Sequence, residues 1–297
     1  MDFIKKFVIR TGKFLDSNYL YIFWFMLYFT IAWRMFGADE QSFIFVSVVY
    51  TISISIALSP IGEVILRITE NCRKPKTEQE QNYLIPMFEQ VYEDAKEVYP
   101  ELNDGINIYI MDAMYINAFA IGRKTIAVTK GALETFTADE LKGILAHEFG
   151  HILYGHTKAL LLSVIGNFIF TIIVWLFRLV FLVIQVISEI VSHFNWLGLA
   201  FGLFNMIASF LVEISVLVFI NLSQIILSLN SRRNEYEADT FAYEIGYGRE
   251  LIMSLYLLQK ISINRNLTLS QKMKASHPHV ADRIQNLEKL ENQPVEE

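Results

Sequence analysis

Residues 137–158 read Thr-Ala-Asp-Glu-Leu-Lys-Gly-Ile-Leu-Ala-His-Glu-Phe-Gly-His-Ile-Leu-Tyr-Gly-His-Thr-Lys. Thr137 and Glu140 have the spacing of a capping box, in which two side chains satisfy N–H groups at the start of a helix. Each helical residue turns the chain by about 100°, so His147 and His151 return to nearly one face with Glu148 beside them. Two imidazoles one turn apart can reach a single metal ion. Zinc held by two histidines and a carboxylate keeps a coordination position open, where it acidifies water and polarises a peptide carbonyl. Glu148 is placed to take the water proton and pass it to the leaving amine. The pattern predicts one Zn2+ per chain and peptide hydrolysis. With six histidines in the chain, a coincidental HExxH is expected in about one such sequence in a hundred, and in fewer once it must lie on a helix.

A third ligand must come from elsewhere. A metzincin would place Gly and His where this chain has Tyr154 and Thr157, and the single cysteine, Cys72, rules out a thiolate cage and an intrachain disulfide framework. The segment Ser231-Arg232-Arg233-Asn234-Glu235-Tyr236-Glu237-Ala238-Asp239 puts Glu235 and Asp239 on one helical face and turns Glu237 about 200° away from Glu235. Glu235 is the expected metal ligand. Asp239, one turn on, is expected to accept a hydrogen bond from the non-ligating nitrogen of a metal histidine. A solvated, charged helix end has the same composition.

The rest of the chain shows where this chemistry is set. Of 297 residues, 53% are hydrophobic and 19% charged, against about 25% charged in an ordinary soluble domain. The formal net charge of -6 offers no basic field for a nucleic-acid partner. The apolar residues lie in blocks, and a bilayer crossing needs about 20 of them. One block spans about 17–36 and a second about 42–62, joined by Gly37-Ala38-Asp39-Glu40. Lys5, Lys6, Arg10 and Lys13 precede this pair and Arg67, Arg73, Lys74 and Lys76 follow it, so the positive-inside rule predicts both ends in the cytoplasm. The opening resembles a signal peptide, but the apolar run lacks a small-residue cleavage site and reads as a retained anchor. Phe3, Ile4, Phe7 and Val8 among those cations also suit a short interfacial helix.

A later block, Ala159 to Ser231, is interrupted only by Arg178, Glu189 and Glu213. His147 and Glu235 must meet at one ion, so the chain between them crosses the membrane an even number of times, and its length allows two crossings. Two helices, about 159–188 and 199–230, are expected, each longer than the hydrocarbon core. Arg178 and Glu213 would then lie at similar depth and could pair, or Arg178 could extend to the interface alone. The domain reading is 1–65 for the first hairpin, 66–158 for a polar part with the HExxH helix, 159–231 for the second hairpin and 232–297 for a polar part with the third ligand. Within 66–158, Thr77 to Tyr99 reads as a helix with Thr77 and Glu80 as a capping box, although Pro86 obscures its middle. Ile106, Ile108 and Ile110 alternate as in a strand, and Ala118–Ile121 and Thr125–Val128 flank a turn at Gly122-Arg123, as in a hairpin. This predicts a small α+β domain.

Several motifs together resemble the HtpX-type membrane zinc metalloproteases, gluzincins related to the CAAX prenyl proteases. They are Asn117-Ala118-Phe119-Ala120-Ile121-Gly122, Thr137 to His151, Glu235 to Asp239 as E-x-x-A-D, and Ser276-His277-Pro278 followed by Arg283-Ile284. The resemblance covers most of the chain. It implies an α-helical membrane protein with four transmembrane helices and a cytoplasmic α+β zincin-like domain, in a bacterial cytoplasmic membrane with both termini inside. It implies zinc on His147, His151 and Glu235, Glu148 as catalytic base, and Asn117, Ala118, Phe119 and Ala120 as a substrate-binding edge. It also implies His277 and Arg283 at the oxyanion or as supports of the site, and quality control of misfolded membrane proteins as the role. His279 could stand in for His277. His156 is too far along the helix axis to ligate the same ion and reads as a surface or supporting residue, and His193 reads as inert. Two rival readings are a processing protease for lipidated or signal-derived peptides and a non-catalytic scaffold or transporter with structural zinc.

Overall fold

The computed structural model describes residues 19–164, 168–192, 196–263 and 280–292. It begins with a pair of apolar helices, α1 (Tyr19–Met35) and α2 (Glu40–Ala57). Asp39 caps α2 through a reciprocal bond with Ser42, and the Trp33 indole N–H donates to the Asp39 carbonyl at 2.9 Å, closing the turn. Trp24, Tyr28, Ala32, Val46 and Tyr50 form the seam between the helices. Away from the seam α2 leaves Ile44, Phe45, Val48 and Ile52 exposed, while Phe43 stands against Phe29 and Trp33 of α1. Among the described residues, Glu40–Ala57 is the helix that is long and apolar enough to cross a membrane.

The span expected at about 42–62 ends earlier. Pro60 has no N–H to continue the ladder and clashes with the preceding turn, and Ser59 caps a new helix, α3 (Pro60–Thr69). The short β1 (Cys72–Arg73) follows, then α4 (Glu78–Val98), opened by the Thr77–Glu80 capping box. Pro86 does not break α4; it sits on the exposed side of the helix, where water can satisfy the carbonyl it leaves unbonded.

Strands β2 (Asn107–Met111), β3 (Ala118–Ile121) and β4 (Thr125–Thr129) complete a mixed sheet in the order β1-β2-β4-β3. β2 and β4 are parallel, with Ile108 opposite Ile126, and β3 and β4 form the expected hairpin, with Ala120 opposite Ile126. Its turn uses Gly122 at φ 60°, a left-handed conformation that costs glycine little. The alternation expected for β2 does not appear in its burial. Ile108, Tyr109, Ile110 and Met111 are all buried because the strand is covered on both faces, with the Arg67 guanidinium of α3 lying 4.6 Å from the Tyr109 ring centre.

After α5 (Lys130–Thr135), the HExxH helix α6 (Ala138–Tyr154) runs from its Thr137–Glu140 capping box to Gly155 at φ 74°. It lies in the main core, with Leu141, Leu145, Ala146 and Phe149 fully buried. The apolar region that follows divides differently from the expected 159–188 and 199–230. α7 covers Thr157–Val164, α8 covers Phe168–Ser192, and α9 runs unbroken from Trp196 to Glu244. The expected boundary between 231 and 232 therefore falls inside one helix of 49 residues, about 74 Å long at 1.5 Å per residue. Nothing in 230–235 forces a stop, since no proline or glycine occurs there. Arg178 on α8 and Glu213 on α9 come within 3.9 Å. α10 (Gly248–Ile263) and α11 (Val280–Glu291) complete the core around α6.

Two glycines of α6 make this packing possible. A Cβ on Gly143 would lie 2.3 Å from the Leu251 backbone nitrogen of α10, and one on Gly150 would lie 3.0 Å from Ala238 Cα of α9. Gly150, inside HExxH, thus lets α9 approach α6 at the turn between Glu235 and Asp239.

Candidate metal centre

That approach brings residues more than eighty positions apart into one buried cluster. His147, Glu148, Glu235 and Asp239 are all almost fully buried. His147 Nε2 and His151 Nε2 stand 3.1 Å apart. A carboxylate oxygen of Glu235 lies 3.4 Å from His147 Nε2 and the other 3.5 Å from His151 Nε2. Ligand atoms at about 2.0–2.1 Å from a tetrahedral ion are about 3.3 Å from each other, so each pair among these three side chains presents donor atoms at the spacing of such a site, Glu235 with a different oxygen towards each imidazole. Their chemistry, two imidazoles and a carboxylate, also suits zinc. One atom each of His147, Glu148 and His151 falls within 4.8 Å of the others, which puts Glu148 beside the same point.

The imidazoles are oriented from behind. Asp239 Oδ1 is 2.9 Å from His147 Nδ1, leaving Nε2 to face the cluster, the arrangement expected from the E-x-x-A-D spacing. Asp239 is itself held by Arg283 of α11, whose Nε and Nη2 donate to its two oxygens at 2.8 and 2.6 Å. Arg283 Nη1 reaches Glu235 at 2.9 Å. One guanidinium thus spans two buried carboxylates, a fork geometry that lysine cannot reproduce. The structure places Arg283 with the other site residues, whereas His277 and His279 lie outside the described residues, as does His193.

Burial pushes the protonation of His151 down to about 3, so its imidazole is held neutral. At His147, burial and the Arg283 charge act in the same direction, but hydrogen bonds to Asp239 and Glu235 outweigh them and raise it to about 9. To hold a metal at Nε2, His147 would have to give up its extra proton, so metal binding there would release protons. Asp239 stays below the ordinary carboxylate range despite the cost of burial, because Arg283 and His147 face it.

A second chain of contacts was not foreseen from the spacing. His156 Nδ1 lies 2.9 Å from His151 Nδ1, and its Nε2 lies 3.1 Å from Glu237. Arg233 Nε donates to the other Glu237 oxygen at 3.1 Å. Glu237 does turn away from Glu235, but it turns towards His156, which the left-handed Gly155 returns to the back of His151. The legible trace was the Arg233–Glu237 pair at i, i+4.

Asn117 to Ala120 lead into and form most of β3, one of the two outer strands of the sheet. The Asn117 N–H donates to Thr129 Oγ1 at 3.0 Å. β3 pairs with β4 along one edge, and Ile121, at its end, packs with Leu161 and Leu162 of α7.

The chain has relatives. A family model described as Peptidase family M48 matches residues 78–291. Protease HtpX of Pseudomonas putida (strain GB-1) is 27% identical over 243 residues, covering 74% of this chain and 75% of that protein. Protease HtpX of Pseudomonas paraeruginosa (strain DSM 24068 / PA7) is 29% identical over 240 residues, covering 74% and 76%. Among solved structures, the crystal structure of S. mikatae Ste24p aligns with a TM-score of 0.49 and 19% identity, over 96% of this chain and 67% of that one. The matched stretch holds the HExxH helix, Glu235, Asp239 and Arg283, the residues that converge here, and on that match the chain belongs to peptidase family M48, the metalloproteases.

Proposed function

We propose that the chain is a membrane-bound zinc endopeptidase in which His147, His151 and Glu235 hold one zinc ion. The observation that carries this reading is the mutual spacing of their donor atoms, 3.1 to 3.5 Å. When bound, the metal supplies Lewis-acid activation of the attacking water and the scissile carbonyl. Glu148 takes the water proton on its carboxylate and returns it to the leaving amine. Asp239 and Arg283 fix His147 and Glu235, and we assign Arg283 a positioning role on these contacts. His277 is assigned, by resemblance alone, to the oxyanion side.

Substrate enters as an extended segment along Asn117 to Ala120, where main-chain pairing to an outer strand is tolerant of sequence. The membrane reading is supported by α2 and by the exposed apolar residues of α8 and α9, among them Trp175, Leu179, Leu182, Phe204 and Phe210. We assign four crossings, by α1, α2, α8 and the first part of α9, with the catalytic part and both termini in the cytoplasm. This places misfolded membrane proteins within reach, in a quality-control role like that implied by the resemblance.

The test uses the full chain purified in detergent. Chelation is expected to abolish cleavage of an unfolded model protein, and stoichiometric zinc to restore it; cleavage that persists in metal-free protein would sink the reading. His156→Phe removes the hydrogen-bond partner of the outer nitrogen of His151. Such supports are worth about 10- to 100-fold in metal affinity, so competition against a chelator should show a fall of about that size with the helical content unchanged.

A further inference from the structure

The helix α3 presents two faces with different surroundings. Ile61, Val64, Ile65 and Ile68 are 61%, 39%, 42% and 68% exposed, and at 100° per residue they lie within an arc of about 100°. Glu63 points from the far side of the helix. Its carboxylate accepts the Arg123 N–H at 2.6 Å and the Lys124 N–H at 3.2 Å, capping the β3–β4 turn. A Cβ on Gly122 would lie 2.3 Å from the Glu63 side chain, so the turn closes directly onto it. The Gly122 carbonyl in turn accepts Thr157 Oγ1 at 2.6 Å, and Thr157 begins the helix after HExxH. Leu66 of α3 packs with Ala57, Ile121, Leu161 and Leu162. One face of α3 is therefore fastened to the turn of the β3 hairpin and to the segment leaving the HExxH helix, while the other face is an aliphatic stripe without a partner among the described residues.

Only Leu58 and Ser59 separate α3 from the apolar helix α2. A short helix with a wide aliphatic stripe, directly continuing a membrane span, suits the boundary between lipid headgroups and acyl chains. We infer that α3 lies in that boundary with Ile61, Val64, Ile65 and Ile68 in lipid, and that the Glu63 contact sets β3 at the bilayer surface, so that the enzyme takes extended segments next to the membrane. This rests on the membrane-protease reading and adds a substrate class to it: chain emerging from the bilayer, in preference to the same sequence free in solution. The stripe commits α3 to lipid as its cover, since the helix follows a span with no linker long enough to carry it away.

The experiment uses the full chain in lipid nanodiscs. In a Cys72→Ser background, an environment-sensitive fluorophore is attached through Ile65→Cys or, as a control on the exposed surface of α4, Gln90→Cys. Lipids carrying a spin label high on the acyl chain are expected to quench the first several-fold more than the second. Equal quenching, or a label at position 65 that is shielded from water without being quenched by lipid, would overturn the inference; the second result would point to a protein partner or a second copy. In parallel, Ile61→Gln/Ile65→Gln/Ile68→Gln is compared with wild type on one peptide, lipid-anchored or free. The variant is expected to lose about 10-fold on the anchored peptide and to cleave the free one as wild type does. Equal loss on both, or no loss on either, contradicts the proposal. If wild type cleaves neither peptide, the protease reading fails, while the quenching result still locates α3.

Discussion

Glu148→Gln is expected to lower peptide cleavage by about 10²- to 10⁴-fold, the usual contribution of a positioned general base, with metal content unchanged. Gln has the shape of Glu but cannot accept the water proton, and Glu148 is not among the three donors that share the 3.1 to 3.5 Å spacing. Metal content by mass spectrometry and cleavage by a fluorogenic peptide, measured on one preparation, separate the two roles. A scaffold with structural zinc would keep its behaviour in this variant. Loss of metal along with activity would instead move Glu148 into the ligand set and require another base.

Arg283→Met is expected to cost about 3–5 kcal/mol of stability, since it removes from two buried carboxylates the guanidinium that spans them. Glu235 and Asp239 both contact this guanidinium at 2.9 Å or less, and all three groups are shielded from water. Thermal melting of the metal-free chain should show the full loss, and added zinc should recover part of it by neutralising Glu235. Arg283→Lys keeps the charge but cannot span both carboxylates, so it should fall between the two. An unchanged melting temperature in Arg283→Met would show that the carboxylates find another partner and that the fork does not hold the site.

The parts of the fold that could be read in the sequence are those set by short-range rules. The capping boxes at Thr77–Glu80 and Thr137–Glu140 act over three residues, and the HExxH and E-x-x-A-D faces follow from helical rotation alone. The hairpin at Gly122 is likewise local. What could not be read depends on contacts between distant segments. Glu63 meets the backbone of Arg123 across 60 residues, and His156 meets Glu237 across 81. Neither has a periodic signature. The continuity of α9 was missed for a different reason: a change from apolar to charged residues at Arg232 marks a change of surroundings, and the backbone crosses it without altering its hydrogen bonding. The break at Pro60 was local and legible, but an unbroken apolar composition up to Gly62 concealed it.

The central claim is that one ion joins the helix before the second apolar region to the far end of the helix that closes that region. Diffraction from crystals of the full chain, with anomalous data collected on both sides of the zinc absorption edge, tests it most directly. The account predicts a single zinc peak about 2 Å from His147 Nε2, His151 Nε2 and a Glu235 oxygen. A peak held by other residues, or zinc bound to the two histidines with Glu235 turned away, would contradict it.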